Sequence, residues 1–355
     1  MIRLAVVDDS AFVRKALYRV FDGSESIQVV GLASSGEELL ANLAGWQPDL
    51  VTLDLNMPGI GGLPTLDRIL EWRRIPVIIL STHSAKDAPL TIEALHRGAV
   101  DFIDKQAISL VDFSALRGLL VEKIALIADR GQLARPVRKP KAAVPPPAID
   151  AAPSSLSVDF AGIAIGASTG GPPAIQQVLE EIGAPPSVPI VIVQHMPVGF
   201  TRAFADRLNS HLRIAVREAV HGEILARGTA YIAPAGLHLK IRREADRVQA
   251  VLANYPDDVS HRPSVDVLFD SVASVWGSAT IAVLLTGMGR DGAEGLAKLR
   301  AGGAWTIAQD EATSTVYGMP KAAQELGAAI ESLPLGMVGH RISTLLTEGR
   351  PRRSG

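Results

Sequence analysis

Short apolar runs alternate with segments of helical periodicity along most of the chain. In the first part the runs lie at 3–7, 27–31, 50–53, 77–80 and 100–103, with helix-like segments at 12–21, 36–44, 62–71, 88–97 and 109–128. Runs of four or five apolar residues without alternation mark strands buried on both faces, and helices between such strands give a parallel sheet. Five such units predict a doubly wound domain over residues 1–128, with its site at the carboxyl ends of the strands. A second alternation follows, with runs at 161–165, 189–193, 230–233, 280–285 and 304–308, and helix candidates at 172–182, 199–210, 263–276, 292–301 and 320–326. It predicts a second parallel sheet over 158–349, in which the stretch 237–253 reads as an inserted hairpin.

Between the two lie residues 129–157, where Pro136, Pro140, Pro145, Pro146, Pro147 and Pro153 stand among alanines and few large apolar residues. That composition predicts a solvated, partly extended linker. Five basic side chains (Arg130, Arg135, Arg138, Lys139, Lys141) outnumber two acidic ones (Asp129, Asp150) there, a balance that also suits an acidic partner surface, with a solvated tether the preferred reading. Residues 350–355 form a basic tail. The fold class is therefore α/β, two doubly wound parallel-sheet domains joined by a Pro/Ala-rich linker.

Composition narrows the chemistry. The 355 residues are 47% apolar, 20% charged and 5% aromatic, as in a globular protein of two domains. The formal charge of −2 gives no reason to expect nucleic acid or an anionic membrane as partner, and no basic recognition helix follows the linker. Cysteine is absent, which excludes disulfides, thiolate metal sites and a cysteine nucleophile. The first apolar run is too short for a signal peptide, and no stretch reaches the roughly 18 apolar residues of a membrane span. A cytoplasmic protein without membrane insertion is expected.

At the strand ends of the first domain stand Asp8 and Asp9, then Asp54, then Ser81 and Thr82, then Lys105. Carboxylates brought together by topology repel unless a cation joins them, and an all-oxygen cluster with room for water suits Mg²⁺. A nearby lysine balances a phosphoryl group, and Asp54 reads as a nucleophile forming an acyl phosphate. A solvated acidic rim explains any one carboxylate, but poorly explains four strand ends together. Asp8-Asp9, Asp54-Leu55-Asn56-Met57-Pro58-Gly59, Leu80-Ser81 and Lys105 resemble the receiver domain of two-component response regulators. The resemblance implies Mg²⁺ held by Asp9, Asp54 and the Asn56 carbonyl, with Asp8 assisting. It also implies Ser81 meeting a phosphoryl oxygen and Phe102 as the aromatic that changes rotamer on activation. Gln106 stands after Lys105 where the family usually has proline, so no cis peptide is expected there.

In the second domain, Gly166-Ala167-Ser168-Thr169-Gly170-Gly171-Pro172 joins a strand to a helix opened by proline. Gly166-x-Ser168-x-Gly170 fits a nucleophile elbow, and the amides of the next helix can stabilise developing negative charge. A phosphate-binding or purely structural turn fits the same pattern, so partners decide. Gln194-His195-Met196-Pro197 follows the second strand, and Thr286-Gly287-Met288-Gly289-Arg290-Asp291 follows the strand at 280–285. A parallel sheet puts all these ends on one edge, where His195 can take a proton from Ser168 and Asp291 can orient the imidazole. His221, His238 and His261 are the rivals to His195, which is preferred because it ends a buried-looking strand. Asp291 has a second reading, as an acid favoured at a helix N-terminus.

The motifs around Ser168, His195 and Asp291, with Tyr231-Ile232-Ala233-Pro234 and His261-Arg262-Pro263-Ser264-Val265-Asp266, resemble the catalytic domain of chemotaxis protein-glutamate methylesterases. Together the two resemblances cover nearly the whole chain. The second implies a Ser168, His195, Asp291 triad with the Met288 amide and Thr169 as oxyanion donors, and no cofactor for hydrolysis. It further implies demethylation of methyl-glutamates, and often deamidation of glutamines, on the cytoplasmic helices of methyl-accepting chemoreceptors, with a chemotaxis histidine kinase as phosphodonor. Ala235 replaces a usual glycine, without consequence unless that position needs positive φ. Two other classes remain open: a phosphorylation-controlled adaptor that only binds, and a hydrolase of a different ester.

Overall fold

The computed structural model describes residues 1–82, 87–105, 113–133 and 160–350. In the first part β1 (Ile2–Val7), β2 (Ile27–Ala33), β3 (Leu50–Asp54), β4 (Val77–Ser81) and β5 (Asp101–Asp104) form one parallel sheet in the order β2-β1-β3-β4-β5. Helices α1 (Ala11–Phe21), α2 (Gly36–Trp46), α3 (Gly62–Trp72), α4 (Asp87–Arg97) and α5 (Phe113–Leu133) accompany it. Every residue of β3 and β4 is buried, which is why these strands read as unbroken apolar runs. The strand order reverses between β1 and β3, and a crevice opens there beyond the carboxyl ends. Helix α5 continues to Leu133, five residues past the periodicity ending at 128. Gln106, most of the linker and residues 351–355 lie outside the described residues.

The second part runs β6 (Gly162–Ala167), α6 (Gly171–Ile182), β7 (Ile190–Gln194), α7 (Phe200–His211), β8 (Ala215–Glu218), β9 (Thr229–Ile232), β10 (His238–Glu244), β11 (Arg247–Ala253) and α8 (Val265–Val275). It continues with β12 (Thr280–Leu284), α9 (Ala293–Ala301), β13 (Trp305–Gln309), α10 (Met319–Glu325), β14 (Glu331–Leu333) and α11 (Leu335–Glu348). Seven parallel strands lie in the order β14-β13-β12-β6-β7-β9-β8. From β6 the chain passes to β7, out to the edge strand β8 and back to β9, and from β12 it passes in the other direction to β13 and β14, so the switch point falls between β6 and β12. Strands β10 and β11 pair antiparallel as a separate two-stranded sheet. The hairpin is therefore packed on α8 through Leu239, Ile241 and Ala250 in a shared apolar cluster rather than inserted in the main sheet.

Three elements were not legible in the pattern. β8 and β14 are edge strands of four and three residues with exposed or half-buried positions, so they carry no continuous apolar run. Helix α11 buries Val338, Ile342 and Leu345, and its glycines dilute the signal. Gly339 is there because a Cβ would lie 2.5 Å from the Val178 carbonyl oxygen of α6.

The two sheets are joined by side-chain contacts. Phe102 at β5 stacks on Phe200 at the start of α7, with ring centroids 4.7 Å apart and planes 27° from parallel. Glu93 of α4 bonds Arg207 of α7 at 2.8 Å, and His96 Nδ1 lies 2.9 Å from Gln176 Oε1 of α6. Val316, with Met288 packed beside it, belongs to the apolar cluster that holds Ile103, Leu120 and Ile124 of the first part.

Leu284 is fully buried at the centre of the second sheet. Leu284→Ala is expected to cost about 2–5 kcal/mol, read as a lower urea midpoint for that part of the chain; an unmoved midpoint would contradict the assigned core.

Candidate active site and phosphoacceptor site

Ser168 stands at the β6–α6 junction. Ala167 pairs with Gln194 in the β6–β7 register, and the His195 amide donates to the Ala167 carbonyl at 3.1 Å, so Ser168 and His195 sit side by side just past the strand ends. On its other flank the Ser168 amide donates to the Thr286 carbonyl at 3.0 Å. Gly287 rests against the serine so closely that a Cβ would meet Ser168 Cβ at 2.7 Å. Gly170, the N-cap of α6, has φ of +75°, a conformation that lets the helix begin three residues after Ser168. Pro172 and Pro173 in its first turn have no N–H, and the Gly171 amide is spent on the Ser168 carbonyl at 2.8 Å, so the helix amides expected to stabilise negative charge are not available from these positions.

The imidazole of His195 and the carboxylate of Asp291 meet at 2.8 Å through Nε2 and Oδ2. Nδ1 of His195 is buried without a hydrogen-bond partner among the described residues, which leaves it as the acceptor of the neutral ring. Asp291 lies over the N-terminus of α8, where its Oδ2 also accepts from the Val265 amide at 2.7 Å. Its Oδ1 accepts from Ser264 Oγ at 2.8 Å and from the Asp266 amide at 3.1 Å. Burial works against the charge of Asp291, but the His195 ring and these amides outweigh it and hold the carboxyl well below the usual range. The helix-terminus reading of Asp291 thus coexists with the histidine pairing, and the helix concerned is α8, not the one Asp291 precedes.

Of the three rival histidines, His221 and His238 are held by backbone groups, and His261 lies against the His195–Asp291 pair, its ring nitrogen within 4.8 Å of the His195 and Asp291 atoms. His238 is fully buried, accepting from the Ser264 amide at 3.2 Å and lying 3.1 Å from the Pro256 carbonyl, and burial lowers its pKa. His221 is tied to the Leu252 backbone at 3.2 Å. His261 stacks flat on His195, centroids 4.1 Å apart and planes 2° from parallel, with burial and the neighbouring imidazole both lowering its pKa.

Several contributors were not read from the sequence. Gln194, 2% exposed, donates to the carbonyls of Ser168 and His195 at 2.9 and 3.0 Å, locking the two loops together. Thr286 Oγ1 donates to the Thr169 carbonyl at 2.9 Å and fixes the turn from the β12 side. Thr169 is buried and Met288 half-buried, and no hydrogen bond to another described residue engages either amide. Ser264, the N-cap of α8, carried a detectable signal as a serine before an apolar helical run. Nothing local announces that its hydroxyl serves an aspartate 27 residues on. Ala235, whose backbone does not adopt positive φ, donates to Thr201 Oγ1 at 3.2 Å.

The crevice of the first sheet collects Asp8, Asp9 and Asp54, whose nearest carboxylate oxygens lie within 4.8 Å of one another. Asp8 and Asp54 are buried, at 0% and 2% exposure. Lys105 Nζ bonds Asp8 Oδ2 at 2.8 Å and Asp54 Oδ2 at 2.7 Å. Burial raises the Asp8 pKa against the effect of Lys105. For Lys105 burial is outweighed by the two carboxylates, and its pKa rises. The Asn56 amide donates to Asp54 Oδ1 at 3.1 Å, and its side chain reaches Asp87 at 2.7 Å. An all-oxygen set with one exposed member, Asp9, fits a Mg²⁺ ion that keeps part of its water. Ser81 is engaged with Thr91 Oγ1 at 2.7 Å, so its hydroxyl is spent on α4 in this conformation. Phe102 lies against Phe200 as described above.

Residues 163–342 match the family described as CheB methylesterase, and residues 4–112 match the response regulator receiver domain. The chain is 38% identical over 355 residues to the protein-glutamate methylesterase/protein-glutamine glutaminase of Lawsonia intracellularis, covering 98% of this chain and 99% of that one. Its identity to the protein of the same name from Geobacillus kaustophilus is 41% over 352 residues, covering 98% and 99%. The crystal structure of the Thermotoga maritima CheB methylesterase catalytic domain is similar with a TM-score of 0.51 at 39% identity, over 53% of this chain and 99% of that chain. Among the described residues no helix is long and apolar enough to cross a membrane. A serine turn, an Asp-paired histidine and a carboxylate crevice on two parallel sheets agree with matches that span both, and the chain belongs to the CheB methylesterase family, with a receiver domain ahead of its methylesterase domain.

Proposed function

We propose that the chain is a phosphorylation-controlled protein-glutamate methylesterase and protein-glutamine glutaminase acting on cytoplasmic helices of methyl-accepting chemoreceptors. The observation that carries this is the 2.8 Å pairing of His195 with Asp291 at the switch point where Ser168 is presented. Ser168 is the nucleophile, His195 the base and Asp291 its orienting acid. The Met288 amide, with Thr169, receives the oxyanion. Ser168 Oγ attacks the ester carbonyl while its proton passes to His195 Nδ1, and methanol departs with that proton. Water then gives a proton to the same nitrogen and cleaves the acyl-enzyme, leaving a glutamate carboxylate. For a glutamine side chain the departing group is ammonia.

Residues 1–128 act as the receiver, 129–157 as the connection, 158–349 as the hydrolase and 350–355 as a tail. Asp54 takes the phosphoryl group from a chemotaxis histidine kinase, and Lys105 meets its charge. Asp9, Asp54 and the Asn56 carbonyl, with Asp8 assisting, would hold Mg²⁺, which neutralises phosphoryl oxygens when bound. Ser81 turns from Thr91 to the phosphoryl oxygen, and Phe102 leaves Phe200. The packing of Met288 and Val316 with the first domain's apolar cluster supports a receiver that narrows access to Ser168 until this rearrangement. A cytoplasmic location follows from the proposed substrate.

Methanol release from methylated receptor cytoplasmic fragments is expected with the parent and is expected to fall at least about 10³-fold in Ser168→Ala. Equal release from both would remove the serine mechanism. In Asp54→Asn, basal release is expected to persist while stimulation by a small phosphodonor with Mg²⁺ disappears; retained stimulation would place the phosphoacceptor elsewhere.

A further inference from the structure

Helices α8 and α9 meet N-terminus to N-terminus, each end bound by the carboxylate of the other segment. Asp291, just ahead of the α9 N-cap Gly292, accepts the Val265 and Asp266 amides of α8. Asp266, in the first turn of α8, reaches back so that its Oδ1 accepts the Gly295 amide of α9 at 2.6 Å. Both acids therefore cap a helix other than their own, and the positive ends of two helix dipoles share two negative charges.

We propose that Asp266 is a positioning residue for the triad: its carboxylate, exchanged with that of Asp291 across the two helix ends, fixes the orientation of Asp291 and adds a second negative charge that favours protonated His195 during turnover. The proposal rests on the hydrolase reading above. Burial, with Asp291 alongside, pushes the Asp266 carboxyl up to about 6 against the pull of the Gly295 and Gly292 amides. The second charge is accordingly present at neutral pH and lost below it. Charged groups stand around the pair on every side but the sheet: Arg290 and Glu294 at the α9 N-terminus, 3.8 Å apart, Arg262 ahead of α8 and Lys240 on β10, both of which act on His238, and Arg243 on β10, bonded to the Val275 carbonyl at the far end of α8. Lys298 on α9 is held by Asp270 at 2.9 Å and also feels Asp266. His238 on β10 reaches the site through Ser264, and His195 with His261 stands beyond Asp291. Strands β6, β7 and β12, which also pack on α8, bring no charged side chain.

Asp266→Asn keeps an oxygen for the Gly295 amide and removes the charge, with an NH2 donor in place of the second oxygen. The test follows the His195 imidazole by NMR across pH in the full chain, beside the pH profile of methanol release. A lost charge at this range moves a titration by on the order of one pH unit, so Asp266→Asn should shift both the His195 titration and the acid limb of kcat downward by about that much. The plateau of kcat should fall roughly three- to tenfold, with KM unchanged. Asp266→Glu, which keeps the charge, should leave the acid limb where the parent has it. A His195 titration in Asp266→Asn that superposes on the parent's would overturn the proposal, whatever the stability of the variant. If the parent releases no methanol, the hydrolase reading fails, while the NMR titration still decides whether Asp266 acts on His195.

Discussion

The pairing of His195 with Asp291 depends on the N-terminus of α8. A carboxylate buried beside an imidazole is costly unless its lone pairs are filled, and here two backbone amides and the Ser264 hydroxyl fill them. These donors belong to a helix held in place by two apolar layers, the central sheet and the β10–β11 hairpin. The orientation of the histidine is thus set by the packing of a whole helix, and the hairpin is a support for the site despite lying outside the main sheet. Gln194 and Thr286 supply the corresponding restraints on the serine turn.

The same topological rule builds both sites. Each sheet reverses its winding at a central pair of strands, β1 with β3 and β6 with β12, and each places its reactive groups beyond that pair. In the first crevice the charge imbalance of three carboxylates is met by one lysine, an arrangement poised to change when charge is added. The contact between Phe102 and Phe200 and the ion pair between Glu93 and Arg207 join the sheets at α4 and α7. A change of charge at Asp54 has a short path to the second sheet through β4, β5 and α4, because Ser81, Phe102 and Thr91 are all buried on it.

Parallel strands were legible because burial on both faces leaves only apolar residues, as in β3, β4, β7 and β12. Their order also predicts Ser168, His195 and Asp291 on one edge of the second sheet. What escaped were elements whose stability is tertiary. β8 and β14 are short edges, and α11 is anchored on α6 by a glycine contact visible only in three dimensions. The supporting polar groups escaped for the same reason. Ser264 announces a helix cap, yet its second bond, to Asp291 Oδ1, is fixed by the meeting of two helix ends. The surroundings of the histidines, the ring stack of His195 with His261 and the burial of His238, are likewise tertiary.

The most direct test of the account is covalent labelling by a serine-directed phosphonate probe, with the modified peptide identified by mass spectrometry and the rate followed with and without phosphodonor and Mg²⁺. The account predicts modification at Ser168, faster when Asp54 is phosphorylated and abolished in His195→Gln. Labelling at another serine, or at Ser168 with a rate indifferent to both His195 and phosphorylation, would contradict it.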